Sequence, residues 1–300
     1  MNPAYQRVLF VMNPISGDLD KAHLQEKLRA FSERRHLDHD FFLTTGQNDR
    51  AHIEARLATW RPDLVVTVGG DGTVNLVGSL LADATREPPP ALGIIPFGSG
   101  NGLAKDLDIP QETDAALKLL AEGRAVPMDV VEINGETSLH LADIGFNAQM
   151  IKNFDASGVR GPAAYAWQTA RTYVNYEPTP FEIVTPEQCY RGRAFMVTVA
   201  NANMFGTNTT INPDGEVDDG WFEVCVLEAF PKAAGLGILY RLYREEIDES
   251  AYARVIRCRE VEIFNQGEAW LQIDGELKGR PPHIKAHVRA GVLPVIRPVR

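Results

Sequence analysis

A run of β-prone residues, Leu64-Val65-Val66-Thr67-Val68, stops at Gly69-Gly70-Asp71-Gly72-Thr73, and a helix-compatible stretch from Val74 to Leu81 follows at once. Glycines at such a junction let backbone N–H groups approach an anion more closely than any Cβ would allow. A helix starting behind them adds its positive pole. The junction therefore predicts a strand–turn–helix unit and a site for a phosphorylated ligand, with Asp71 placed to hold a metal or orient a hydroxyl. It is not a Walker loop, because no Gly-Lys-Ser/Thr follows. It also lacks the Gly-x-Gly-x-x-Gly fingerprint, which speaks against hydride transfer. Alone, the turn reads equally well as a βα connection whose glycines serve backbone geometry only.

Its neighbours sharpen the reading. Val8 to Met12 predicts a buried strand ending in the turn Asn13-Pro14-Ile15-Ser16-Gly17. Leu24, Leu28 and Phe31 mark one face of a helix over residues 19–35. A strand at His39–Leu43, a helix from about Arg50 to Thr59 and a strand at Ala91–Ile95 follow. The last ends in Gly98-Ser99-Gly100-Asn101-Gly102. Alternating β and α units predict a parallel sheet with helices on both faces. In such sheets ligands sit beyond the carboxyl ends of the strands. Right-handed crossovers bring all three turns to one edge.

After Val126-Pro127-Met128-Asp129 the pattern turns β-rich. Strands are expected at Val130–Ile133, Ser138–Ile144, Phe181–Val184, Ala194–Ala200, Trp221–Leu227, Val261–Phe264, Ala269–Ile273 and Ile284–Val288. Asn134-Gly135 and Asp274-Gly275 are hairpin signals. Two helical inserts, Pro162–Asn175 and Lys232–Glu245, interrupt the strands. The expected architecture is thus an N-terminal α/β domain (1–128) and a C-terminal antiparallel β-sandwich-like domain with helical inserts (129–300), whose last residues can return to the first.

The chain has 300 residues, enough for two cores. Its formal charge of −10 speaks against broad binding to nucleic acid or anionic surfaces. No apolar stretch reaches the roughly 18–20 residues of a membrane span, and Met1-Asn2-Pro3-Ala4-Tyr5 lacks signal-peptide form. Cys189, Cys225 and Cys258 are odd in number and far apart. They suggest a reducing cytoplasm.

Asn13-Pro14-x-Ser16-Gly17, Gly69-Gly70-Asp71-Gly72-Thr73-x-Asn75, Gly98-Ser99-Gly100-Asn101 and a late Asp274-Gly275-Glu276 occur in that order. In this the chain resembles the diacylglycerol kinase catalytic-domain family, which includes soluble bacterial lipid kinases and the sphingosine kinases. The resemblance implies a nucleotide-binding α/β domain, a β-rich lipid-binding domain and an active site in the cleft between them. It implies transfer of the γ-phosphoryl of ATP to a lipid hydroxyl, with Mg²⁺ as cofactor.

By the same resemblance, Asn13, Pro14, Ile15, Ser16, Gly17, Thr44, Ser99 and the run Gly69, Gly70, Asp71, Gly72, Thr73, Val74 and Asn75 contact the nucleotide. Glu276 becomes the general base; without the resemblance, Asp274-Gly275-Glu276 reads as a type I′ turn. Asp71 and Asp129 are candidates for the catalytic Mg²⁺ and water network. The acidic loop Asp214–Trp221 is not an EF-hand, since its sixth position is Asp219 and its twelfth Cys225. The resemblance makes it a structural Mg²⁺ site with ligands from the Asp219 carboxylate and the carbonyls of Glu216 and Trp221; otherwise it is a solvated turn. Tyr165, Trp167, Tyr173 and Tyr176 in residues 163–176 suit core packing, or an amphipathic wall that admits lipid or rests at a membrane interface.

Gly102 departs from the acidic residue that many bacterial relatives carry there, and Leu76 from their Glu. The Gly98–Ala104 loop is closer to the sphingosine kinase version, which leaves several lipid alcohols open as acceptor. The expected protein is cytoplasmic, with transient peripheral contact at the inner membrane surface and no nucleic-acid partner; a homodimer is one open oligomeric state. Two other readings stand: an NAD kinase, which shares the Gly-Gly-Asp-Gly-Thr turn, and a degenerate module that binds nucleotide or lipid without turnover.

Overall fold

The computed structural model describes residues 5–14, 21–86, 88–157, 162–205 and 209–298, without the side chains of 21, 22, 155, 157 and 162–165. The fold divides into two compact units. One runs up to Met128 and takes in the chain again from Gly291; the other is Asp129–Ala290.

The first unit alternates β1 (Arg7–Met12), α1 (Lys21–Arg34), β2 (Asp38–Leu43), α2 (Asp49–Trp60), β3 (Leu64–Gly69), α3 (Asp71–Ala82) and β4 (Ala91–Pro96). Helices α4 (Gly102–Asp106) and α5 (Thr113–Glu122) follow. β1 pairs in parallel with both β2 and β3, and β3 with β4, giving the order β2-β1-β3-β4. Every residue of β3 and β4 is buried, as the unbroken apolar runs of a sheet covered on both faces require. Leu24, Leu28 and Phe31 of α1 pack with Ala116, Leu117 and Leu120 of α5 on the face carrying Phe10, Val66 and Val68. α3 covers β3 on the opposite side and touches α2.

β5 (Arg124–Ile133) leads into the second unit. It continues through β6 (Glu136–Ser138), β7 (Leu141–Gly145), α6 (Phe146–Ser157), α7 (Pro162–Asn175), β8 (Thr179–Val184) and β9 (Cys189–Ala200). Next come β10 (Met204–Phe205), β11 (Thr209–Thr210), β12 (Phe222–Glu228), α8 (Gly235–Arg244), β13 (Ala253–Cys258), β14 (Glu260–Asn265), β15 (Leu271–Ile273), β16 (Glu276–Leu277) and β17 (His283–Arg297). β14 pairs antiparallel with β8 and β17, and β9 pairs antiparallel with β7, β8 and β12. Alternation sorts its side chains: Val224 and Val226 of β12 enter the core shared with Ile144, Phe181 and Ile263. Cys225 and Leu227 enter the core against the helices.

Both hairpin signals are realised. Asn134-Gly135 and Asp274-Gly275 have positive φ at both residues, and the ladders close at Ile133↔Glu136 and Ile273↔Glu276. This is the type I′ geometry that twisted strands favour.

Elsewhere the elements differ from expectation. α3 starts at Asp71 instead of Val74, because the carbonyl of extended Gly70 accepts from the N–H groups of Thr73 and Val74. The strand expected at Ser138–Ile144 is broken at Leu139-His140, whose N–H groups turn to Asp274. Five of these elements were not expected: α6, β13 and the two-residue strands β10, β11 and β16. α6 hides its apolar residues in a short mixed run, and β13 (Ala-Arg-Val-Ile-Arg-Cys) pairs with β12 despite two arginines. β17 runs nine residues past Val288.

Candidate active site

The register of the parallel sheet aligns its carboxyl ends: Met12 lies opposite both Leu43 and Val68, and Gly69 opposite Pro96. Because β2 and β3 flank β1 on opposite sides, the chain reverses direction between β1 and β3. That reversal is where α/β sheets open a crevice for ligand. The Asn13 N–H donates to the Val68 carbonyl there (3.0 Å), the Thr44 N–H to Met12 (2.9 Å) and the Phe97 N–H to Gly69 (2.8 Å). Asn13, Thr44, Gly69–Thr73 and Gly98–Asn101 thus leave from one edge. Pro14 follows Asn13, whereas Ile15, Ser16 and Gly17 lie outside the described residues.

Two glycine loops meet at this edge. A Cβ built on Gly70 would lie 3.1 Å from Gly98 Cα. The Asn101 side chain holds the second loop shut. Its Oδ1 accepts from the Gly98 N–H (2.9 Å) and its Nδ2 donates to the Gly98 carbonyl (3.0 Å), with Asn101 itself at φ 55°. Its Nδ2 also donates to Gln111 Oε1 (3.1 Å). Asn101 is therefore a brace of the turn. Ser99 stands exposed at the tip, and buried Gly102 opens α4.

Asp71 occupies the first position of α3, at the positive pole of the helix. Its Oδ1 is buried and has no hydrogen-bond partner, and the same holds for Oδ1 of Asn75 one turn on. Residues four apart share a helix face. Buried polar atoms are almost always satisfied, so two such oxygens on one helix face, behind a glycine turn, are a donor set that can hold a cation or a hydroxyl. Thr73 and Val74 are buried and lock the helix start.

Thr44 and Thr45 part company. The Thr45 N–H (2.9 Å), the Thr45 hydroxyl (3.0 Å) and the Gly46 N–H (2.7 Å) all donate to the buried Asp49 carboxylate. Burial pushes this carboxyl up, but the donors of Thr45 and Gly46 outweigh it and hold it below its usual range. Thr45 is committed to shaping the loop, while Thr44 is half-buried at the strand end.

In the second unit Asp274 anchors its hairpin. The carboxylate accepts from the Ser138 hydroxyl (3.0 Å) and the N–H groups of Leu139 (2.7 Å), His140 (3.1 Å) and Leu141 (3.0 Å). A second tether was not foreseen from sequence. The Gly275 N–H donates to Gln272 Oε1 (2.6 Å), whose Nε2 donates to Asp143 (2.6 Å). Asp143 is fully buried and also accepts from Thr198 (2.6 Å) and Asn147 (2.5 Å). Burial lifts its carboxyl above the ordinary range against these three donors. A carboxylate inside the apolar strand Leu141–Gly145 was the available signal. Glu276, on the far side of the turn, is exposed and paired with Lys278 (3.1 Å), which also reaches Glu136.

The remaining acidic candidates come together differently. Asp129 is buried. Its N–H donates to the Val217 carbonyl (2.7 Å) and its carboxylate accepts from the Gly220 N–H (2.6 Å), so it joins the Asp214–Trp221 loop. Asp219 accepts from the Trp221 N–H (2.9 Å) and pairs with Arg257 (2.5 Å). The expected set Glu216, Asp219 and Trp221 lies in this loop, with Asp219 Oδ2 turned to Arg257 and Oδ1 to the Trp221 N–H. Among the described residues no cluster of three His, Cys, Asp or Glu side chains forms a metal site. Tyr173 and Tyr176 pack with Phe146 and Phe195, as core residues do, but Trp167 is exposed. The Tyr165 side chain lies outside the described residues.

Comparison with known proteins agrees with this layout. Residues 7–133 match the diacylglycerol kinase catalytic domain, and residues 141–297 the YegS C-terminal NAD kinase beta sandwich-like domain. The chain belongs to the diacylglycerol kinase catalytic-domain family, with a YegS-type C-terminal half. Within this family it is 27% identical over 281 residues to the diacylglycerol kinase of Bacillus subtilis strain 168, covering 92% of each chain. It is 24% identical over 290 residues to the diacylglycerol kinase of Staphylococcus saprophyticus, covering 94% of each. A solved diacylglycerol kinase structure from Bacillus anthracis strain Sterne shares the fold, with a TM-score of 0.74 at 22% identity over 98% of this chain and 97% of that one. Among the described residues no helix is long and apolar enough to cross a membrane.

Proposed function

We propose that this family member is an ATP-dependent lipid kinase whose acceptor is the hydroxyl of diacylglycerol or a closely related lipid. The observation that carries the reading is the pair of buried, unpartnered oxygens, Asp71 Oδ1 and Asn75 Oδ1, behind two interlocked glycine loops at the sheet's reversal point. That arrangement suits a triphosphate and its cation better than a flat cofactor ring. The names of the relatives point to the same acceptor class.

In this reading the N–H groups of Gly69–Thr73 and the Gly98–Asn101 loop, with Asn13, Thr44 and Ser99, hold the phosphates. Mg²⁺, when bound, neutralises charge on the transferring phosphoryl oxygens. Asp71 and Asn75 fit it through their bare oxygens. Glu276 takes the proton of the acceptor hydroxyl; the new O–P bond forms as the bond from the γ-phosphorus to the bridging oxygen breaks, and ADP leaves. Asp274, with its four donors, fixes the turn from which Glu276 projects. Asp129 belongs with the acidic loop and supports it. Contact with a membrane is peripheral and brief. The oligomer could be a dimer without change to this chemistry.

The test is transfer of label from γ-labelled ATP with Mg²⁺, comparing diacylglycerol in mixed micelles with NAD. A labelled phospholipid that vanishes in Asp71→Asn supports the reading. Label on NAD, or on neither acceptor, overturns it.

A further inference from the structure

The second unit leaves one helix with an apolar side in water. In α8, Ile238 is buried in the core beneath and Leu242 packs against it. Leu236, Leu239, Tyr240 and Tyr243, spaced i, i+3, i+4 and i+7, form another stripe, and all four are exposed, Leu236 at 82%. A helix of a soluble fold normally carries polar residues there. α7 joins it: the Tyr173 hydroxyl donates to the Lys232 carbonyl (2.7 Å), and Lys232 Nζ donates to the Val174 carbonyl (2.5 Å). On α7 itself, Trp167 (70% exposed) and Val174, seven residues apart, stand out in the same way.

The size and chemistry of this face select its occupant. The ten residues of α8 and fourteen of α7 make footprints about 15 and 21 Å long and each about 10 Å wide, together less than half of the roughly 800 Å² per partner of a stable dimer. Trp and Tyr, apolar bodies with polar tips, are the side chains that settle at a bilayer boundary. Residues 162–175 and 235–244 contain no Asp or Glu, although the chain carries 40 such residues against 30 Lys and Arg. No carboxylate on either helix is desolvated when the face enters headgroups. Acidic residues lie past the helix ends, where Lys232 pairs with Glu177 (3.1 Å), Arg241 with Glu249 (3.2 Å) and Arg244 with Glu246 (3.4 Å). Attachment is therefore by apolar insertion, not by attraction to anionic lipid.

We infer that the α7–α8 face is a bilayer-docking surface: Leu236, Leu239, Tyr240 and Tyr243, with Trp167 and Val174, seat at the headgroup–acyl boundary while the enzyme collects its acceptor. This rests on the lipid-acceptor reading above. The test uses the full chain and phosphatidylcholine vesicles containing diacylglycerol. Vesicle co-sedimentation is expected to fall about tenfold in Leu236→Glu/Tyr240→Glu. Product formation from vesicle-held diacylglycerol should fall with it, while the rate on detergent-dispersed acceptor stays unchanged. Leu236→Ser/Tyr240→Ser gives the same comparison if the charged pair fails to fold. Unaltered vesicle binding overturns the inference, as does a change in self-association alone, which would make the occupant a second copy. Absence of any labelled lipid with the wild-type chain would sink the kinase reading instead, since vesicle binding is read without turnover.

Discussion

A methyl group added at Gly98 would lie 2.5 Å from the Cα of Gly70. Neither glycine has positive φ, so what the loops need here is room. Gly98→Ala should force them apart at a cost of about 1–3 kcal/mol and raise KM for ATP. Gly72, with nothing within 4 Å of its Cβ position, is the control: Gly72→Ala should leave the melting temperature unharmed. Thermal denaturation and ATP titration of the two variants decide the matter.

Asp71→Asn keeps the shape of the helix start and removes its charge. The side chain gives up no hydrogen bond from Oδ1, so stability should hold while kcat falls by about 10²–10³. A variant that unfolds, or one that turns over normally, contradicts the role given to Asp71.

The two carboxylates of the Asp274-Gly275-Glu276 turn should separate cleanly. Glu276 is exposed, so Glu276→Gln is expected to leave the melting temperature alone and lower kcat by about 10²–10⁴. Asp274→Ala leaves four donors without an acceptor and should destabilise by about 3 kcal/mol. Denaturation and steady-state rates on the pair test this contrast. Equal effects of both substitutions on stability would contradict it.

The Asp49 carboxylate predicts a pH dependence with a definite sign. Its folded value is held below the ordinary 3.8 by Thr45 and Gly46, against burial. The stabilisation is therefore complete above the ordinary value and is lost as pH falls through the lower folded one. The melting-temperature gap between the wild type and Asp49→Asn should be constant near neutrality and close below about pH 4. A gap that widens in acid would reverse the assignment.

The α/β half was legible because its signals are local. Val8–Met12 and Leu64–Val68 are continuous apolar runs, and each stops at a turn whose residues have few other uses. The two-residue hairpins were legible for the same reason, since Asn-Gly and Asp-Gly fit positive φ. What stayed hidden depends on partners distant in sequence. β13 is held by pairing with β12 and carries arginines that β propensity does not favour. The tether from Asp143 through Gln272 to Gly275 spans more than 120 residues and has no motif of its own. In the acidic loop, sequence shows the carboxylates but not Arg257, which arrives from another strand and pairs with Asp219.

β17 gives its final residues to the first unit, where Val295 lies beside Leu92 and Leu293 and Ile296 are buried. A ribosome has made β1 to β4 long before this strand exists. The nascent α/β sheet must therefore wait, with the flank of β4 open, until the 200 residues Phe97–Ile296 have been translated. Folding of the α/β half is in this way tied to synthesis of the half that carries Glu276.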